Sequence, residues 1–187
     1  ILTLVLQSSS ATMALTIMML NFGWIRFDMA CAMVLGENIG TTITANIAAA
    51  VGNPSAKRAA LAHTVFNVFG VIWALILFPY FLKLVGFITA GIFGLPNPSG
   101  ETFSVVAGAE GAQSDTQTAA LYGLSMLHTL FNTINTLILI WFIPLIEKIV
   151  CMVIKDSKNK EDDAHRLKYI NAGPLATPEL AIEQAFK

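Results

Sequence analysis

Long apolar stretches dominate the chain, and the places where polarity interrupts them define its elements. Residues 59–82 and 118–143 are each long enough to cross a bilayer, which takes about 20 residues. Residues 11–20 and 39–51 are apolar but short, a length that predicts half-helices or re-entrant segments. Each short segment follows a polar or glycine-bearing interruption, Gln7-Ser8-Ser9-Ser10 for the first and Gly36-Glu37-Asn38-Ile39-Gly40 for the second. A broken backbone at membrane depth is tolerated only where protein buries it or a polar cavity surrounds it. Short, interrupted apolar segments are also where transporters place their binding sites. The pattern predicts an all-α, polytopic helical membrane protein with re-entrant or half-helix hairpins, in contact with a lipid bilayer.

Composition supports that class. Hydrophobic residues make up 55% of the chain and charged ones 12%, against about 25% charged in soluble proteins. The mean hydropathy is +0.67. Charge is concentrated at the end, where residues 155–187 carry six basic and six acidic side chains. The expected division is a membrane transport domain over residues 1–150 and a water-facing tail over 151–187. Lys57 and Arg58 precede the first span, and Lys148, Lys155, Lys158 and Lys160 follow the second, while residues 85–117 hold no Lys or Arg. The positive-inside rule places the Lys57 end and the tail in the cytoplasm and the 85–117 connection outside as an exposed loop. Lys83 is expected to snorkel at the outer end. No basic surface points to nucleic acid as a partner. Cys31 and Cys151 are far apart and imply neither a disulfide framework nor a metal-ligand spacing. No charged segment precedes the first apolar run, so no signal peptide is evident, and the chain reads as a fragment beginning inside a transmembrane element.

The sequence contains an internal echo. His63-Thr64-Val65-Phe66-Asn67 and His128-Thr129-Leu130-Phe131-Asn132 share the pattern His-Thr-apolar-Phe-Asn, with Pro79 and Pro144 following at the same spacing. His and Asn at i, i+4 share a helix face, and Asn135 extends that face in the second copy. Structural roles in helix–helix hydrogen bonding are expected for both histidines. Near the end, Thr177-Pro178-Glu179 forms a helix-start signal.

The two interruptions carry the candidate chemistry. Ser8, Ser9 and Ser10 stand where the first short helix begins, and a helix N-terminus offers unpaired N–H groups and partial positive charge to an oxyanion. Their hydroxyls add donors for an anion and lone pairs for a hard cation, and Thr12 and Thr16 continue the hydroxyl face. The Gly36–Thr42 run is expected to repeat the arrangement, with Asn38, Thr41, Thr42 and Thr44 supplying neutral oxygens at a second break. The competing reading is that these hydroxyls bond back to the preceding turn or bind helices together. The only basic residue near either break is Arg26, which Asp28 is placed to pair. An anion held here therefore needs helix dipoles and co-bound cations to offset its charge. No Ser-His-Asp, paired-carboxylate or metal cluster suggests an enzyme.

At Gln7-Ser8-Ser9-Ser10, Gly36-x-Asn38-Ile39-Gly40-Thr41-Thr42 and Phe66-Asn67, residues 1–150 resemble the type II sodium/phosphate cotransporter family. The resemblance implies one half, the C-terminal repeat, of an inverted-repeat transporter, with the missing first repeat of the same protein as partner; a homodimer is an open option for its assembly. It implies sodium-coupled symport of inorganic phosphate with no cofactor beyond the transported ions. Gln7, Ser8, Ser9, Ser10, Asn38, Thr41 and Thr42 would line the site, with Ser8, Ser9, Asn38 and Thr41 as sodium ligands. The tail, through Leu167-Lys168-Tyr169 and Thr177-Pro178-Glu179-Leu180-Ala181, is similar to the junction that leads into the PhoU-like helical region of bacterial members. That implies a bacterial inner membrane. Glu37 departs from the small residue common in the family and is expected to be ion-linked, either as a sodium ligand or as a protonated carboxyl. Two alternatives stay open, a non-transporting membrane phosphate sensor and a symporter of another small oxyanion.

Overall fold

A computed structural model describes residues 2–100, 103–105 and 114–155. All their regular structure is helical: α1 (Leu2–Leu6), α2 (Ser9–Asn21), α3 (Phe27–Ala49), α4 (Pro54–Ile76), α5 (Phe78–Phe93), α6 (Asp115–Leu139) and α7 (Ile143–Val153), with a 3-10 turn at Ile140–Phe142. These elements belong to the unit Ile1–Ile154. The helix start at Thr177-Pro178-Glu179 lies outside the described residues.

The first interruption is a real break. Gln7 adopts a left-handed conformation, φ 51°, that a non-glycine residue rarely takes, and it ends α1. Ser8 is extended, and its hydroxyl accepts from the Ala11 N–H at 3.2 Å as the N-cap of α2. At 13 residues α2 is about 20 Å long, too short to cross a hydrocarbon core of about 30 Å. The expected half-helix is therefore present.

The second interruption is not a break. Gly36-Glu37-Asn38-Ile39-Gly40-Thr41-Thr42 lies inside α3, which runs unbroken for 23 residues. No half-helix forms at residues 39–51. Each glycine inside a helix costs about 1 kcal/mol, but breaking the helix at membrane depth would free backbone groups at several kcal/mol each. The continuous helix wins. Gly40 has a packing reason instead: a Cβ there would sit 2.6 Å from the Thr3 Cβ, so its absence lets α1 lie directly on α3.

Two expected boundaries also move. The chain turns at Leu77, so the predicted 59–82 span ends at Ile76 and α5 follows, with Pro79 in the first turn of α5. Proline lacks the N–H an interior helical position needs, but a first turn tolerates it. Pro144 does the same for α7 after the 3-10 turn. Residues 85–93 therefore belong to α5, with Val85, Gly86 and Thr89 buried, rather than to an exposed loop. That helix ends on Gly94 at φ 64°. At the other side of the connection, Ser114 and Gln117 form a reciprocal capping box that starts α6.

Helix α3 packs on α4, α2 and α6 around a core that includes Leu20, Phe27, Val34, Leu35, Leu124, Leu127 and Phe131. Trp73 of α4 stacks on Phe131 of α6, ring centroids 5.9 Å apart. Beside it, the fully buried Asn135 donates to the Phe66 carbonyl at 3.2 Å and accepts from the Trp73 indole N–H at 3.1 Å. Gly70 makes room for it, since a Cβ there would meet the Asn135 amide. Asn135→Leu leaves the indole N–H of the half-buried Trp73 without its partner and the Phe66 carbonyl without its donor. It is expected to destabilise the detergent-purified protein by about 1–3 kcal/mol, read as a lower thermal unfolding midpoint.

The outer surface is apolar. Trp141 is 83% exposed, Phe87 74% and Ile76 71%, which in water would be an aggregation hazard and in lipid is the solvated state. Two helical stretches are long and apolar enough to cross a membrane, Pro54–Ile76 and Asp115–Val153. Helix α3 has the length but carries the polar run at Glu37–Thr42, as suits a helix enclosed by protein. The Arg58 guanidinium donates to the Ile154 carbonyl at 3.0 Å, joining the start of α4 to the end of α7.

Candidate functional site

A cavity of about 450 Å³ lies between the N-terminal half of α2, the middle of α3 and α6. Its polar lining consists of Ser9, Ser10, Glu37, Asn38, Thr41 and His128, with Met13, Ala14 and Ile17 supplying apolar wall. Residues from both interruptions thus meet in one space, although only the first interruption is a break.

The two walls differ in what they offer. On α2, Ser9 and Ser10 occupy the first helical positions, where backbone N–H groups have no partner within the helix. Helix polarity adds partial positive charge. This wall donates. On α3, the Asn38 amide N–H donates to the Val34 carbonyl at 3.0 Å, and the Thr41 hydroxyl donates to the Asn38 carbonyl at 2.9 Å. Thr41 has spent its only donor and Asn38 one of its two amide N–H groups, so the oxygens of both remain open as acceptors. Glu37, only 6% exposed, adds a carboxylate whose Oε2 is buried without a hydrogen-bond partner among the described residues. This wall accepts. Among the described residues no Lys or Arg lines the cavity, and Arg26 is paired to Asp28 at 3.1 Å outside it.

Other expected site residues stand elsewhere. Gln7 is exposed at the break, and Ser8, whose hydroxyl is used as the helix cap, does not line the cavity. Thr42 is buried, with its hydroxyl bonded to the Ile39 carbonyl at 2.8 Å. Thr12 and Thr16 do not continue a hydroxyl face into the cavity. They are buried and bond back to the Ser8 and Thr12 carbonyls, both at 2.9 Å. For these threonines the helix-internal reading holds.

The cavity also contains a residue that the sequence pattern did not select. His128 lines it from α6, and its place in the echo was the available signal. The echo itself has a structural counterpart, since Asn67 donates to the His63 carbonyl at 3.0 Å and Asn132 to the His128 carbonyl at 2.9 Å. His63, in contrast, faces a more apolar groove of about 620 Å³ between α4 and α7.

An all-helical arrangement of the described residues, an apolar surface and two helical stretches of crossing length fit the class of integral membrane proteins. The chain belongs to the Na+/Pi-cotransporter family, whose profile matches residues 1–96. It is 44% identical over 88 residues to the uncharacterized protein YqeW of Bacillus subtilis, covering 47% of this chain and 28% of that protein. It is 42% identical over 81 residues to the human sodium-dependent phosphate transport protein 2C, covering 40% of this chain and 13% of that protein. It is 25% identical over 178 residues to the putative inorganic phosphate export protein YjbB of Escherichia coli, covering 95% of this chain and 27% of that protein. The chain therefore spans about a quarter or less of the length of these relatives. No solved structure matches it.

Proposed function

We propose that the protein carries out sodium-coupled symport of inorganic phosphate across the bacterial inner membrane, with this chain supplying one of two inverted repeats. The observation that carries the reading is the cavity with a donor wall on α2 and an acceptor wall on α3. A phosphate oxyanion suits the Ser9–Ser10 end of α2, and a hard cation suits the oxygens of Asn38 and Thr41. With no basic side chain in the lining, the cation is the mobile counter-charge that makes anion binding favourable. Gln7 and Ser8 then act by holding the break and capping α2. Thr42, outside the lining, acts by fixing α3, in place of the lining role expected of it. The joined ends of α4 and α7, bearing Lys57, Arg58 and Lys148, face the cytoplasm on the positive-inside rule, which puts the tail on the same side. Names of relatives add support, one a sodium-dependent phosphate transport protein and another a putative phosphate exporter.

A second reading, phosphate efflux, is favoured by the exporter's coverage of nearly the whole chain. Both are tested by radiolabelled phosphate movement in vesicles containing the full-length protein. Uptake is expected to collapse when potassium or choline replaces sodium, and sodium-independent uptake would sink the symport reading. Phosphate leaving loaded vesicles without any sodium requirement supports efflux. Binding without movement supports a sensor, and strong competition by sulfate or arsenate points to a broader oxyanion substrate.

A further inference from the structure

The orphaned oxygen of Glu37 is the least explained polar atom in the cavity. A buried carboxylate needs a hydrogen-bond donor or a positive charge beside it, or it does not stay ionised. The neighbouring groups on α3 do not serve it: Thr41 donates to the Asn38 carbonyl and Asn38 to the Val34 carbonyl, and neither bonds to the orphaned Glu37 oxygen. Helix α2 presents the neutral hydroxyls of Ser9 and Ser10, neither of which bonds to that oxygen, and no charged group. Helix α6 presents His128, which forms no ion pair with Glu37 among the described residues. The remaining partner is one that enters from outside. An ionisable residue kept at membrane depth marks an ion path in general, and here the surroundings specify the sign.

Resting on the symport reading above, we propose that Glu37 anchors the coupling cation: its orphaned oxygen, with the oxygens of Asn38 and Thr41, holds an alkali cation on the α3 wall. The cation neutralises the carboxylate that would otherwise repel an incoming oxyanion, so it binds before the anion. Glu37 thereby sets one unit of charge in the coupling, a unit that a small residue at this position does not supply.

Sodium titration of phosphate uptake by the full-length protein tests this. Glu37→Gln is expected to raise the half-saturating sodium concentration about tenfold or more, the scale of losing an oxygen contact to a charged group, with phosphate half-saturation at high sodium changed less. An unchanged sodium curve in Glu37→Gln, with the wild type sodium-dependent, overturns the proposal. So does an unchanged sodium curve accompanied by a flattened pH profile, which makes Glu37 a proton site. A measurement on the unmutated protein covers a variant that fails to accumulate. Dicyclohexylcarbodiimide labelling of Glu37, read by mass spectrometry, is expected to be slowed by sodium and not by choline. Labelling indifferent to sodium overturns the proposal whether or not symport stands. Sodium-independent uptake by the wild type removes the symport reading itself, so the two failures are distinguishable.

Discussion

Replacing Ser9 and Ser10 together by alanine in the full-length protein lowers phosphate uptake at subsaturating phosphate by about a hundredfold, while Ser8→Ala leaves it within a few fold. The three serines are adjacent in sequence and differ in what their hydroxyls already do. Ser9 and Ser10 line the cavity at the start of α2. Two hydrogen bonds to a charged ligand, at about 1.5 kcal/mol each, multiply to that factor. Ser8 accepts from the Ala11 N–H and lies outside the lining. Its loss is a lost helix cap, about 1 kcal/mol of stability, visible as a lower unfolding midpoint with a nearly normal phosphate affinity. The measurement is the phosphate concentration dependence of sodium-driven uptake, with the unfolding midpoint recorded for each variant. Equal affinity losses at Ser8 and at the Ser9–Ser10 pair would remove the division of labour.

Gly40→Val is expected to abolish uptake, whereas Gly36→Ala is expected to be tolerated. A Cβ at Gly40 meets Thr3 Cβ at 2.6 Å, Oγ1 at 3.0 Å and Cγ2 at 3.2 Å, all on one side chain of α1. Overpacking of this kind costs about 1–3 kcal/mol. Relief requires α1 to lift from α3, and the Gln7–Ser10 break is attached to its end. Because the three nearest atoms all belong to Thr3, Thr3→Gly should restore much of the activity of Gly40→Val. A Cβ at Gly36 meets nothing within 4 Å, and alanine is the better helix former by about 1 kcal/mol. Uptake and unfolding midpoints of the single and double variants check this. No rescue by Thr3→Gly would show that Gly40 matters for another reason.

Much of the architecture was legible because membrane physics leaves traces in composition. Residues 59–82 and 118–143 announced helices of crossing length through their apolar content, and the serine run announced a break because four polar residues cannot sit quietly in a lipid-facing helix. The same logic misread residues 36–42. Glycine, asparagine and threonine there resemble a break, but a helix accepts them at small cost when neighbouring helices cover its polar face. Proline was under-read in the opposite direction: Pro79 and Pro144 mark helix starts, so the first span stops at Ile76 and the second turns at Ile140–Phe142.

The sequence alone determined the class of the protein, the half-helix after Gln7–Ser10 and the oxygen-rich residue types available for an ion. These follow from local chemistry: apolar length, capping serine and the poverty of charge. Only the tertiary structure decided which oxygens share a space and which are already committed. Packing of α2, α3 and α6 brought Ser9, Ser10, Glu37, Asn38, Thr41 and His128 to one cavity and left Ser8 and Thr42 bonded within their own helices. A hydroxyl's role depends on whether its proton, as in Thr42, or its oxygen, as in Ser8, is already engaged, and on which neighbours the fold brings to it.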